Sequence, residues 1–328
     1  MKLLKKIKQR FKSQGGIKLI KQYKDAGVLL YALLIFPFLY SSKTGLEIFR
    51  NAVSERIHKK IIKKYMNVNI EVNYSPDNYC KKIALDLKND KKPVWFMWLQ
   101  GIDEAPELVK NNFEILNNSV EKERIKLVTE SNITDYIRLP EFILNKWKSG
   151  IISNTHLSDI IRLELLMRYG GIWIDSTVMF TADKIPDYIE KADFFVPQTL
   201  KPGRDGRALF VSNWLISCKS NNKVTKRLLD LLYLYWSNNN TLIDYFIFHH
   251  LLEVVFLENP EEYKNMTPID NTQMHSILIS VIRDNLDIKN LKKQFEFTSF
   301  QKLSNKVTAD QKNKLTDIQK IRMKEIKG

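Results

Sequence analysis

The stretch His156 to Thr177, HLSDIIRLELLMRYGGIWIDST, constrains the fold of this 328-residue chain more than any other. Polar Ser158 and Asp159 open it, an almost wholly apolar run follows to Tyr169, and Gly170-Gly171 break the pattern before Ile172-Trp173-Ile174-Asp175. That order predicts a capped helix, a tight turn and a short buried strand. The strand ends on a carboxylate. A fully buried strand rarely tolerates an unpaired Asp, whereas the C-terminal end of a strand in an open α/β sheet is where ligands usually bind.

On a helical wheel Asp159 and Arg162 lie about one turn apart on one side, with Leu163 and Leu166. An acceptor and a forked donor therefore share a half-apolar face, as a site for a polyhydroxylated ligand needs. The plainer alternative is that Ser158 caps the helix, Asp159 suits its dipole and Arg162 pairs with Asp159. Glu164 and Arg168 form an i,i+4 pair nearly opposite and read as ordinary surface.

Ser158-Asp159, Arg162, Leu165-Leu166, Tyr169-Gly170-Gly171 and Asp175 resemble the SD-x-x-R-x-x-x-L-x-x-x-GG-x-x-x-D pattern of sugar-transferring enzymes of the GT-A fold. The chain is most similar to the capsular polysaccharide synthesis protein family, related to α-glycosyltransferases with a DXD motif. The resemblance implies that Asp159 and Arg162 hold the donor sugar. It also implies that the strand-end motif, Gly171 to Thr177, holds the nucleotide and a divalent cation, Mg²⁺ or Mn²⁺, at Asp175. Thr177 stands where the usual second Asp would be, which leaves one carboxylate.

The rest of the chain fits around this centre. Its 44% hydrophobic content supports a substantial core. The net charge of +15 is concentrated at the start, where residues 1–66 carry 16 Lys/Arg against 3 Asp/Glu. That segment reads as a Lys-rich helix over residues 1–24, a 14-residue apolar run from Gly27 to Tyr40 containing Pro37, and a second basic helix through Met66. The run is shorter than the roughly 20 residues needed to span a bilayer, and no cleavage site follows it. A basic helix beside an apolar wedge points to a segment lying on an anionic membrane surface; the alternative is a helical hairpin packed on the main domain with solvated lysines. Nucleic-acid binding is disfavoured, since the positive charge is not spread over the domain. Cys80 and Cys218 form no metal or redox motif, which fits a reduced cytosolic protein.

Val94 to Trp98 reads as a buried first strand running into Gln100-Gly101, with a helix beginning at Pro106. Neither a dinucleotide fingerprint nor a P-loop is present. In the resembled family the end of this strand contacts the base and ribose, which makes Trp98, Gln100 and Gly101 candidates for the donor site; Trp95 is read as core. Further strands are expected at 124–129, 178–181, 193–198 and 209–217, with apolar helices at 223–236 and 242–257. Lys201 to Arg207, with three cations, reads either as a lid over a phosphate-bearing ligand or as a solvated turn. The resemblance adds Asn213 as a secondary site residue, His275 as a candidate metal ligand and Lys302 as a residue meeting the diphosphate. His249 and His250 are adjacent, so they cannot chelate one metal as an i,i+4 pair would, and are read as packing residues.

The expected architecture is α/β, a GT-A-like (Rossmann-like) mixed sheet flanked by helices. A membrane-associating helical segment at 1–80 precedes the transferase domain at 93–305, and a polar tail follows at 306–328. The expected function is transfer of a sugar from a nucleotide-sugar donor to a lipid-linked oligosaccharide during surface polysaccharide assembly, with retention of anomeric configuration. The place is the inner face of the cell membrane, as a peripheral cytoplasmic protein. The alternative is a membrane-docked binding or scaffold protein without activity.

Overall fold

A computed structural model describes residues 16–70, 91–200 and 210–327. The Lys201–Arg207 loop, residues 1–15 of the first basic helix and residues 71–80 of the N-terminal segment lie outside the described residues. The described residues open with three helices: α1 (Gly16–Asp25), α2 (Leu29–Leu39) and α3 (Lys43–Tyr65). Strand β1 (Val94–Met97) leads to α4 (Glu107–Ser119) and β2 (Ile125–Val128). Helix α5 (Asn154–Tyr169) precedes β3 (Gly171–Ile174) and β4 (Val178–Phe180). Then come β5 (Phe194–Phe195), β6 (Leu215–Cys218), α6 (Lys223–Asn238) and α7 (Ile247–Glu258). The chain closes with α8 (Ser276–Ile282), β7 (Phe300–Lys302) and α9 (Ala309–Lys327).

The main sheet runs β2-β1-β3-β6-β5. β1 is parallel to both β2 and β3, while β6 is antiparallel to β3 and β5, so the sheet is mixed, as expected. Successive side chains on a strand point to opposite faces, and the two cores divide accordingly. Trp95, Trp173 and Ile216 face one core with α5, α6, α7 and the N-terminal helices. Val94, Phe96, Ile172 and Ile174 face the other with α4, β4, β7 and α9. Asp175, two residues beyond Trp173, falls on the first face and just past the strand end.

The polar tail expected from 306 onward is a helix, α9, that places Leu315 and Ile318 in the second core. Its Gln319 bonds Leu108 O at 2.8 Å and Asn112 Oδ1 at 2.6 Å on α4. The helix of the central stretch starts earlier than Ser158: Ser153 caps it, its hydroxyl accepting from His156 N at 3.4 Å. Ser158 is thereby released from capping. The Glu164–Arg168 pair is not surface; both side chains are buried, and Glu164 accepts a hydrogen bond from Tyr233 Oη of α6. Helix α5 is covered on both sides, by the sheet and by α6, so spacing alone mistook a buried polar pair for a solvated one.

The N-terminal helices pack on the domain. Phe49, Val53, Ile57, Ile61 and Tyr65 repeat every four residues and form one stripe of α3, all buried against the first core. At about 1.5–3 kcal/mol for each fully buried aliphatic side chain, this stripe is a firm attachment. Helix α2 continues through Pro37 and leaves Leu30, Leu33, Leu34 and Phe38 exposed, Phe38 at 83%. Among the described residues no helix is long and apolar enough to cross a membrane.

Gly170 and Gly171 turn α5 into β3 at φ values of +67° and +114°. A Cβ at Gly171 would lie 2.6 Å from Pro93 O and 2.7 Å from Trp95 Nε1, where β1 begins. Gly171→Ala should therefore destabilise the protein by about 2–3 kcal/mol, seen as a lower thermal midpoint. An unchanged midpoint would contradict the close approach.

Candidate active site

Asp175 is held by the extension of the sheet. Its N–H donates to Trp214 O at 2.9 Å, continuing the β3–β6 ladder by one residue. Trp173 Nε1, on the same face of the strand, donates to Asp175 Oδ1 at 2.8 Å. The chain then turns, Val178 N meeting Asp175 O, into β4, which pairs with β7 in the register Val178↔Lys302. This pairing carries Lys302 to the carboxylate: its Nζ lies 2.8 Å from Asp175 Oδ2 and 2.7 Å from Thr177 Oγ1.

Arg162 approaches from the other side. Its guanidinium lies 3.4 Å from Asp175 Oδ1 and 3.3 Å from Asp159 Oδ1, over the Trp173 ring at 5.0 Å. Ser158 contributes its carbonyl at 3.3 Å and its hydroxyl at 3.1 Å, and Asn213 O accepts from Nη1. Asn213 Nδ2 in turn donates to Asp159 Oδ1 at 2.9 Å. A planar fork with this many fixed acceptors has little freedom left, so the site is organised before any ligand arrives.

Two cavities meet at Thr155, Arg162 and Asp175. One, of about 350 Å³, is lined by Trp98, Leu99, Gln100, Ser158, Ser176 and Thr177 among others. The other, of about 310 Å³, is lined by Asp159, Asn213, Trp214, Tyr245, His249 and Lys302 among others. The first presents an orphan donor, because Trp98 Nε1 is buried with no hydrogen-bond partner among the described residues. His249 Nδ1 is in the same condition in the second. The N-terminal turn of α5, with Asn154 and Thr155, opens onto the junction and favours negative charge there.

Of the residues singled out in the sequence, Asp159, Arg162, Asp175, Thr177, Asn213, Lys302, Trp98 and Gln100 line these cavities. Gly171 does not; it sits at the opposite end of β3, serving the turn and the β1 contact. Gly101 lies beside Gln100 at φ +89°, outside both linings. His250 packs on His58 of α3 at 3.0 Å, as the packing reading had it, whereas His249 faces the cavity. Thr155, Tyr245 and the positioning role of Trp173 were missed. Trp173 was findable, since residues two apart on a strand share a face.

The donor set fits a divalent cation poorly. Asp175 supplies one carboxylate, whose oxygens already meet Trp173, Arg162 and Lys302, and Thr177 accepts from the same ammonium. His275 lines the cavity but bonds Asn271 O through Nδ1 at 2.9 Å and stands edge-on to Trp214. Among the described residues no group of three or more His, Cys, Asp or Glu could hold a metal. At about 4 Å and an effective dielectric of about 20, each pair of unit charges interacts by about 4 kcal/mol, so a dication beside Lys302 and Arg162 meets strong repulsion.

The two carboxylates differ in charge state. Burial pushes Asp175 up, but Lys302 and Arg162, with hydrogen bonds from Lys302 and Trp173, together hold it below its ordinary value. Burial raises Asp159 to about 7, against the pull of Arg162 and with a push from Asp175. Burial lowers His249 to about 3, keeping its imidazole neutral.

The chain belongs to the capsular polysaccharide synthesis protein family, whose model matches residues 41–321. It is 28% identical over 199 residues to the O-glycosyltransferase braB of Annulohypoxylon truncatum, matching 54% of this chain and 45% of that protein. The chain thus spans less than half the length of that relative. Among solved structures it is similar to the PaToxG glycosyltransferase, at 15% identity and a TM-score of 0.34, covering 84% of this chain and 98% of that one.

Because folding raises Asp159, its contribution to stability is full below the unfolded value of 3.8 and is lost as pH rises through about 7. Between pH 5 and 8 the protein should lose about 2–3 kcal/mol through this group. Asp159→Asn should flatten that part of the stability profile, measured by thermal melts across the range. A variant that tracks the native profile would show that Asp159 titrates normally.

Proposed function

We propose that the protein is a glycosyltransferase that moves a sugar from a nucleotide-diphosphate donor to a lipid-linked saccharide acceptor in surface polysaccharide synthesis. The observation that carries this reading is the meeting of two cavities at one fixed pair, Arg162 and Asp175. Family membership and the likeness to an O-glycosyltransferase support it. Base and ribose occupy the Trp98–Gln100 cavity, where the buried indole N–H finds an acceptor. The diphosphate lies at the junction, facing Arg162, Lys302 and the first turn of α5. The sugar extends into the second cavity, where Asp159 and Asn213 bind its hydroxyls, and the acceptor enters past Tyr245 and Phe246.

Catalysis on this arrangement is placement plus charge stabilisation: the two partners are held in contact, and fixed cations meet the charge that develops on the departing diphosphate. A divalent cation at Asp175 is the competing arrangement implied by family resemblance, and it requires Lys302 to withdraw. Retention of anomeric configuration also follows from that resemblance.

The exposed apolar face of α2, beside an N-terminal segment rich in lysine, supports docking on an anionic membrane, here taken as the inner face of the cell membrane. An acceptor anchored in that surface would be presented to the cavity from the side on which Tyr245 and Phe246 also border the α1–α3 groove.

Two measurements test the proposal. Arg162→Ala should lower hydrolysis or transfer of the cognate nucleotide sugar about 100-fold or more with the fold retained by circular dichroism. A near-native rate would reject the site, and no turnover of any nucleotide sugar by the native protein would favour a binding protein without activity. Replacing Leu30, Leu34 and Phe38 together by Asp should abolish sedimentation with vesicles containing phosphatidylglycerol. Unchanged sedimentation would reject the membrane face.

A further inference from the structure

We infer that Lys302, together with Arg162, takes the place of a metal ion in stabilising the departing diphosphate, so that donor binding and transfer are metal-independent. The inference rests on the reading of the cavity junction as a diphosphate site. Lys302 Nζ sits between the strand-end carboxylate and the hydroxyl of Thr177, 2.8 Å from one and 2.7 Å from the other, where a two-carboxylate motif would draw its cation. The hydroxyl at Thr177 is what makes the exchange consistent. A second carboxylate there would pull in a dication, whereas a neutral acceptor completes the shell of one ammonium.

The lysine is also not free to wander. β7 pairs with β4 in fixed register, Leu303 N donates to Thr177 O at 2.9 Å, and the ammonium lies 6.0 Å from the Trp214 ring centre. Asp175 consequently becomes a positioning residue: it holds Arg162 on one oxygen and Lys302 on the other, at the mouth of both cavities. With Asp159 carrying a proton part of the time near neutral pH, the junction is net positive and suited to a diphosphate.

In the reaction the bond between the anomeric carbon and the phosphate oxygen breaks, and its electron pair stays on that oxygen, facing the two cations. The acceptor hydroxyl oxygen forms the new bond to the anomeric carbon, and its proton passes to the phosphate oxygen set free. No redox partner is needed.

The test is calorimetric titration of the full-length protein with UDP, GDP, TDP, ADP and CDP, in EDTA and then with Mg²⁺ or Mn²⁺, for native protein, Lys302→Met and Lys302→Arg. The expected result is that at least one nucleotide binds native protein with the same Kd, within about twofold, in EDTA and in metal. Lys302→Met should weaken it about tenfold or more in both, and Lys302→Arg should recover most of the loss. Binding seen only with metal, or unaffected by Lys302→Met, would overturn the inference while leaving the diphosphate site standing. Absence of binding to all five nucleotides under both conditions would overturn the inference and the site together. Turnover of the cognate nucleotide sugar that survives EDTA in native protein and falls about 100-fold in Lys302→Met would agree with the expected result.

Discussion

The site depends on one carboxylate holding two cations that come from distant parts of the chain. Asp175 stands between Arg162 of α5 and Lys302 of β7, and each contact organises a different region. Through Arg162 it reaches Asp159, Ser158 and Asn213; through Lys302 it ties the small β4–β7 sheet to the end of the large one. Removing one member of such a group leaves its partners desolvated and unpaired, a more severe change than the loss of a surface ion pair.

Much of this was legible in the sequence because the local pattern and the tertiary environment agree. The apolar run to Tyr169, the paired glycines and the four-residue strand after them describe α5, its turn and β3, and the carboxylate does emerge at the edge of a cavity. Glu164 and Arg168 were misread because i,i+4 spacing does not reveal that a second helix covers that side. Gly171 was credited to the ligand for its place in a motif, though its backbone angle and the closeness of Pro93 account for it. Tyr245 and Thr155 carry no local mark: their part in the site arises from the packing of α5 against the segment before α7.

The described N-terminal helices present two different faces. The stripe from Phe49 to Tyr65 is satisfied by the domain core, so the segment is a packed hairpin. The outward side of α2 is left without protein cover among the described residues, and its leucines and phenylalanine lie in the open. The α1–α3 groove shares Tyr245 and Phe246 with the second cavity of the site.

Lys302 lies 127 residues beyond Asp175 in sequence, on a strand that shares the second core with α9. The corner is therefore closed by a long-range pairing rather than by local structure. Without the β4–β7 pairing, Arg162 and Asp175 would keep their own contact but lack the ammonium beside Thr177.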